Sequence, residues 1–174
     1  PFYLQENEGL VQDICEKYTS NHPSDDEEST TCNLADGIYT TCFTSDENDN
    51  SEEHWLQAEL DTPASNFYFY IKANLRRADA RPTKITVSGS NDGTTFTQIG
   101  QPIETGLGDA LFFSSDVINC GAAYKYLRFT VNSVNEGNKA FTMSEFYIMP
   151  ENADVEHCVS TIKKFYGTAL YNEA

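Results

Sequence analysis

The spacing of apolar positions changes twice along the chain. In residues 7–19, "NEGLVQDICEKYT", Leu10, Val11, Ile14, Cys15 and Tyr18 fall on one face at helical spacing and predict a short helix. The stretch that follows, "NHPSDDEESTT", breaks this pattern with a proline and four consecutive acids. From Cys32 onward the texture is that of strands. "HWLQAEL" (54–60), "NFYFYIKAN" (66–74), "KITVSGS" (84–90), "TFTQI" (95–99), "ALFFSS" (110–115), "KYLRFTVNS" (125–133) and "AFTMSEFYIM" (140–149) are rich in β-branched and aromatic residues. Clusters of Gly, Asn, Asp and Pro separate them. After Pro150 the helical period returns in Val155, Cys158, Val159, Ile162, Phe165 and Tyr166.

Within the β region, "VSGSNDGTTFTQI" (87–99) places Asn91-Asp92-Gly93 between two strand-like runs. This predicts a hairpin closed by a tight primed turn, with Asp-Gly supplying the positive φ angles. A further strand near "FYL" at the start brings the count to about eight, the usual number for a jelly roll or related sandwich. The fold class is therefore all-β: a jelly-roll β-sandwich with a short N-terminal helix and a C-terminal helix. The expected division is an N-terminal extension at 1–31, the sandwich at 32–150, and a helix at 151–174 that either packs on the sandwich or begins a following domain, the second being favoured by the mid-chain start. The chain opens on Pro1 and reads as a module processed or excised from a larger protein.

Composition narrows the partners. The 174 residues are 39% hydrophobic and 13% aromatic, enough for one domain with a substantial core. A net charge of −16 argues against nucleic acid and against anionic membranes, which would be repelled at long range. No apolar run is long enough to span a bilayer. The five cysteines are odd in number and form no CxxC, which disfavours a zinc cluster. A single Cys32–Cys42 disulfide and free thiols are both compatible with the spacing.

Enzyme signatures are poor. His22, His54 and His157 belong to no HExxH, and there is no GxSxG and no phosphate-cradling glycine loop. His157 adjoins Cys158, but neighbours on a helix point apart, so this is no catalytic pair. The expectation is a non-catalytic module.

Cation chemistry has two candidates. In "SDENDNSEEHW" (45–55), Asp46, Asn48 and Asn50 occupy the first, third and fifth positions of an EF-hand loop. Ser51 stands where the glycine belongs and Gln57 where the bidentate glutamate belongs, so the segment reads as a solvated acidic loop. The second candidate is split. "CNLADGIYTT" (32–41) places Asp36-Gly37 in a turn near Thr41, and "TMSEFYIM" (142–149) holds Glu145 in a strongly apolar strand. A carboxylate there needs a partner, and no Lys or Arg neighbours it in sequence. Hard oxygen donors of this kind suit calcium; a solvent-facing edge position for Glu145 is the alternative.

The ordered set "LADGIYTTCFTS", "HWLQAEL", "PTKITVSGSNDGTTFTQI", "YKYLRFTV" and "FTMSEFYI" resembles the discoidin, or coagulation-factor type C, domain over residues 32–149. The wording is similar to versions on surface proteins of Bacteroides-like bacteria, near the family 32 carbohydrate-binding modules. The resemblance implies a galactose-binding-like jelly roll in which the Asn-Asp-Gly hairpin is framework. It also implies a structural calcium held by Asp36, Thr41 and Glu145, with carbonyls near Asn33 and Ile38. Ile38-Tyr39-Thr40 departs from the acidic or Asn-rich turn usual in the family.

The resemblance places ligand binding in loops at one end of the sandwich, matched here by 44–54, 74–82 and 134–140. Asn74, Arg76, Arg77, His54 and Asn138 are the residues expected to bind, with Arg81, Asn135 and Lys139 on the same loops. The expected ligand is a glycan, either galactose-type or an acidic sugar gripped by the arginine forks. No exposed aromatic platform is evident, because Trp55 lies in a strand and reads as core. The whole reads as a glycan-binding module of a secreted or bacterial cell-surface protein, covalently linked to other domains. The alternative is a protein–protein or spacer module without a sugar site.

Overall fold

The protein is described here from a computed structural model that covers residues 9–151. The strand expected at residues 2–4 and all but the first residue of the helix expected at 151–174 lie outside that range.

Nine strands carry the fold among the described residues: β1 (Tyr18–Ser20), β2 (Phe43–Thr44), β3 (Trp55–Lys72), β4 (Pro82–Ser90), β5 (Thr97–Glu104), β6 (Phe112–Ser114), β7 (Ile118–Val134), β8 (Thr142–Met143) and β9 (Glu145–Pro150). The main sheet runs β1-β3-β7-β4-β5, while β6 and β9 flank the second half of β3, and β2 pairs with β8. All of these pairings are antiparallel. The architecture is a jelly-roll β-sandwich.

β3 explains how the layers connect. Its first half alternates, burying Leu56, Ala58 and Leu60 while Trp55, Gln57 and Glu59 face outward. Its second half, Phe67–Lys72, is buried on both faces, because β9 and β6 flank it and the other layer covers it. Two register shifts between Glu59 and Asn66 separate the halves. Pro63 sits at that irregularity, where no ladder bond is lost. Two expected strands are thus one bent strand.

Aromatic rings fill the space between the layers. Phe129 on β7 lies 5.1 Å from Phe69 on β3 and 4.8 Å from Phe146 on β9, centroid to centroid. Edge-on contacts of this kind add stabilisation beyond area burial. Trp55 is not part of this core. It is half-buried on the outer sheet face, beneath the Arg128 guanidinium at 4.1 Å, and Phe96 covers that guanidinium's other side at 3.8 Å.

Three local expectations are corrected. The helix expected over 7–19 shrinks to one turn, α1 (Ile14–Lys17), because the flanking backbone finds sheet partners. Leu10 N–H donates to the Ile148 carbonyl at 2.9 Å, and Tyr18 pairs with Ala58. The disulfide joins Cys15 to Cys32, tying that turn to a 3-10 helix at Thr31–Ala35; Cys42 is free.

The hairpin after β4 exists, but not through a primed turn: Gly93 has φ 76°, whereas among the described residues no non-glycine residue has positive φ. A longer loop is closed by Asp92, whose Oδ1 accepts the N–H groups of Thr94 and Thr95 at 2.9 and 2.8 Å. These bonds, with one from the Ser90 hydroxyl, hold the Asp92 carboxyl well below its ordinary range.

Candidate functional site

The loops between strands converge at one end of the sandwich. Loop 44–54 is tied to loop 134–140 by the Lys139 N–H on Asn50 Oδ1 at 3.0 Å, and to Phe141 just beyond that loop by the Ser45 N–H on the Phe141 carbonyl at 3.0 Å. Loop 74–82 joins them through the Glu136 N–H on the Asp79 carbonyl at 2.8 Å and the Asn135 amide on the Ala78 carbonyl at 3.1 Å. The three loops enclose a polar depression of about 360 Å³. Its rim carries Glu47, Asn48, Arg77, Asp79, Glu136 and Asn138. A second depression of about 180 Å³ adjoins it, shares Glu47, Asn48 and Arg77, and continues to Asp25 and Asp26.

The five residues expected to bind occupy different situations. Arg77 and Asn138 line the depression. Arg77 bridges two loops: its guanidinium pairs with Glu47 and, at 3.3 Å, with Asp79. Both sides of the fork are thereby committed to protein carboxylates, which removes it as a free grip for an acidic sugar. Arg76 is exposed but does not line the depression.

Asn74 is buried, donates to Ser144 Oγ at 3.1 Å and accepts the Arg76 N–H at 2.9 Å, so it builds the loop rather than facing solvent. His54 is fully buried. Its Nε2 lies 2.8 Å from the Asp49 carbonyl and its Nδ1 2.8 Å from Ser45 Oγ. A carbonyl only accepts, so Nε2 carries the proton and Nδ1 accepts from the Ser45 hydroxyl. His54 also stacks on His22 at 4.1 Å. Burial pushes its pKa down, and it holds the acidic loop in place from beneath.

Arg81 lies on loop 74–82, outside the set of residues expected to bind. It is 8% exposed, and its buried Nε has no hydrogen-bond partner. Burial of a guanidinium is a tertiary property that three arginines in six residues do not reveal.

The residues of the expected cation site come together. Glu145 opens β9, 5% exposed, and its Oε1 accepts the Gly37 N–H at 3.0 Å while the Tyr147 hydroxyl donates to Oε2. Asp36 Oδ2 lies 2.6 Å from the Thr41 hydroxyl, which is also 2.8 Å from the Ile38 carbonyl. The Ile38 side chain itself is exposed. The Asn33 amide donates to the Glu28 and Cys42 carbonyls, bracing the turn.

Burial pushes the Glu145 carboxyl well above the usual carboxylate range. The adjacent Asp36 adds to this, and the bond from Tyr147 opposes it. Glu145 is therefore not a solvent-facing edge residue. Nor is it remote from cations: Lys72, also buried, is its cross-strand partner, with Nζ 3.9 Å from the Phe112 ring centroid. Two carboxylates, a hydroxyl and a carbonyl are hard oxygen donors that fit calcium. Among the described residues no three His, Cys, Asp or Glu side chains form a metal-holding group.

Residues 17–146 match the model of the F5/8 type C domain. No curated protein sequence matches the chain. Solved structures do match in fold. A Clostridium perfringens module, CpGH89CBM32-5, in complex with GalNAc-β-1,3-galactose, aligns with TM-score 0.65 and 16% identity, covering 77% of this chain and 94% of that one. The family 32 module of C. perfringens NanJ in complex with galactose aligns with TM-score 0.58 and 14% identity, covering 82% and 99%. The CBM32-1, CBM32-2 and M60 catalytic domains of C. perfringens ZmpB align with TM-score 0.66 and 15% identity, over 85% of this chain but 15% of that one.

Proposed function

The chain belongs to the F5/8 type C domain family, and on that premise we propose that it is a non-catalytic glycan-binding module whose site is the three-loop depression. The observation that carries this reading is convergence. Segments far apart in sequence supply Glu47, Asn48, Arg77, Asp79, Glu136 and Asn138 to one concave polar surface. Carboxylates accept from sugar hydroxyls, and the two amides both donate and accept, which is the donor–acceptor mixture a polyol needs. Structural neighbours in complex with galactose and with GalNAc-β-1,3-galactose support a galactose-type ligand. A shallow, hydrated site predicts weak binding, with a Kd on the order of 1 mM, about −4 kcal/mol.

Calcium is proposed as a structural ion held by Asp36, Thr41, Glu145 and the Ile38 carbonyl, with Asn33 bracing the turn. It would neutralise the Asp36–Glu145 pair and fix the 36–41 turn against β9. Lys72 is the competing counter-charge. The module is proposed to sit in a larger secreted or bacterial cell-surface protein; the Cys15–Cys32 disulfide supports an oxidising compartment.

The test is titration calorimetry or ligand-observed NMR with galactose and N-acetylgalactosamine. Asn138→Ala should weaken binding several-fold without changing thermal stability, because Asn138 is an exposed loop residue. Absence of binding by both sugars leaves the spacer reading.

A further inference from the structure

Resting on the glycan reading, we infer that Ser45 and His54 are positioning residues for the depression, and that acid weakens glycan binding by breaking the bonds they share. Loop 44–54 contributes Glu47 and Asn48 to the depression's lining. Both belong to a short arch whose feet, Ser45 and Asp49, are bonded to one imidazole. His54 Nε2 donates to the Asp49 carbonyl at 2.8 Å, and the Ser45 hydroxyl donates to Nδ1 at 2.8 Å. Ser45 Oγ in turn accepts the Phe141 N–H at 3.0 Å, which ties the arch to the chain just beyond loop 134–140. One fully buried ring thus closes the arch and links it to a second part of the rim.

His22, just beyond β1, supports the same arrangement. Its ring stacks on His54 with the planes 24° apart, and its nitrogens lie 3.3 Å from Asp49 Oδ2 and 3.1 Å from Glu52 Oε1. Its carbonyl accepts the Asp46 N–H at 3.0 Å, so the arch rests on both histidines. The charged groups around the stack are Asp46, Asp49 and Glu52. Burial above all, and His22 with it, oppose a charged His54; the Asp49 carbonyl and the Asp49 and Asp46 carboxylates favour one.

A proton on Nδ1 converts the acceptor of the Ser45 hydroxyl into a donor. Ser45 Oγ then faces N–H groups from both His54 and Phe141, and its own hydrogen needs a new acceptor. Opening the arch relieves this by exposing the ring to water, where histidine takes up a proton near pH 6.5; opening is therefore favoured as pH falls below about 6.5. Carboxylates in water titrate about two units lower, so histidines are the groups that change charge between neutral and mildly acid pH. Glu47 and Asn48 lose their places on the lining when the arch opens.

The experiment follows two readouts on the whole chain between about pH 7.5 and about pH 5. One is the Kd for galactose and for N-acetylgalactosamine by ligand-observed NMR. The other is amide-exchange protection, corrected for intrinsic rates, at Asp46 and Phe141, whose N–H groups bond His22 and Ser45. Acid should raise Kd by at least about threefold and lower both protection factors to match, while Leu127 and Phe129 in β7 keep theirs. His54→Gln, whose amide both donates and accepts without titrating, should bind with a Kd that does not change with pH. Ser45→Ala, which keeps the ring but removes its link to Phe141, should bind at least about threefold more weakly at neutral pH.

A parent protein whose Kd and protection are flat with pH overturns the inference, and so does an equal pH dependence in His54→Gln. Parental affinity in Ser45→Ala overturns the positioning role. Affinity lost in acid while Asp46 and Phe141 stay protected assigns the effect to groups on the rim and also overturns it. Absence of binding by both sugars at every pH removes the glycan reading, and the coupling to a sugar with it; the amide protection then still shows whether the arch opens in acid.

Discussion

Gly89 on β4 is the position where the packing of the sheet can be tested with one methyl group. A Cβ built there would stand 2.4 Å from Tyr124 Cδ2, 2.5 Å from Cγ and 2.8 Å from Cε2, about 1 Å inside ordinary contact. Cγ is fixed one bond from the Tyr124 Cβ, so the ring escapes only by rotating about χ1, away from the half-buried surface it covers. Backbone strain plays no part, because Gly89 is not among the residues with positive φ.

Overpacking of this kind costs about 1–3 kcal/mol, against which alanine recovers about 0.4–1 kcal/mol through the unfolded chain. The net expectation for Gly89→Ala is a loss of about 1–2 kcal/mol, or roughly 2–8 °C in Tm for a domain of this size. Urea and thermal melts measure it. Tyr124→Ala in the Gly89→Ala background should restore part of the loss, giving a coupling of at least about 1 kcal/mol in a double-mutant cycle. A Gly89→Ala protein as stable as the parent, or strictly additive mutants, would refute the packing argument.

Three further outcomes follow from the same structure. If calcium binds the folded state only, calcium at a hundred times its Kd should add about 2.7 kcal/mol, and Glu145→Gln should abolish that gain; melts in chelator and in calcium that coincide would remove the ion. His54 has a lowered pKa in the folded state, so the unfolded chain takes up the proton more readily. Stability is therefore full above the ordinary histidine range and falls as pH drops below about 6.5; His54→Gln should flatten that part of the urea-melt pH profile. Opening the Cys15–Cys32 bridge by Cys15→Ser/Cys32→Ser should cost about 3 kcal/mol for a closed loop with sequence separation 17; a double mutant with the parent's Tm would show the bridge to be dispensable.

Strands were the most legible feature of the chain, because a half-buried strand writes its alternation directly into the sequence, as in Leu56, Ala58 and Leu60. The fusion of two strands into β3 was hidden: "DTPAS" carries turn chemistry, and only the surrounding pairing shows that the backbone stays extended. The N-terminal helix failed for the reverse reason. Its apolar spacing is real, and Val11, Ile14 and Tyr18 are buried, but only Ile14 lies in the single helical turn, and the backbone at Leu10 and Tyr18 borrows partners from β9 and β3.

At the site, Glu145 stood out as a charge in an apolar strand and is indeed buried beside Asp36. Its cross-strand partner Lys72 lies over seventy residues away in sequence and could not be paired with it by inspection. His54 and Asn74 read as loop residues available to a ligand. Whether a polar side chain in a loop points out or ties the loop down depends on Ser45, Asp49 and Ser144, contacts that local sequence does not specify.

The central claim is that the three-loop depression is where a glycan binds. Two-dimensional amide NMR of the isotope-labelled chain, titrated with galactose and with N-acetylgalactosamine to several times the Kd of about 1 mM, addresses it most directly. The account predicts fast-exchange shifts confined to residues 44–54, 74–82 and 134–140, reduced in Asn138→Ala. Shifts centred instead on the outer sheet face around Trp55, Phe96 and Arg128, or an unperturbed spectrum with both sugars, would contradict it.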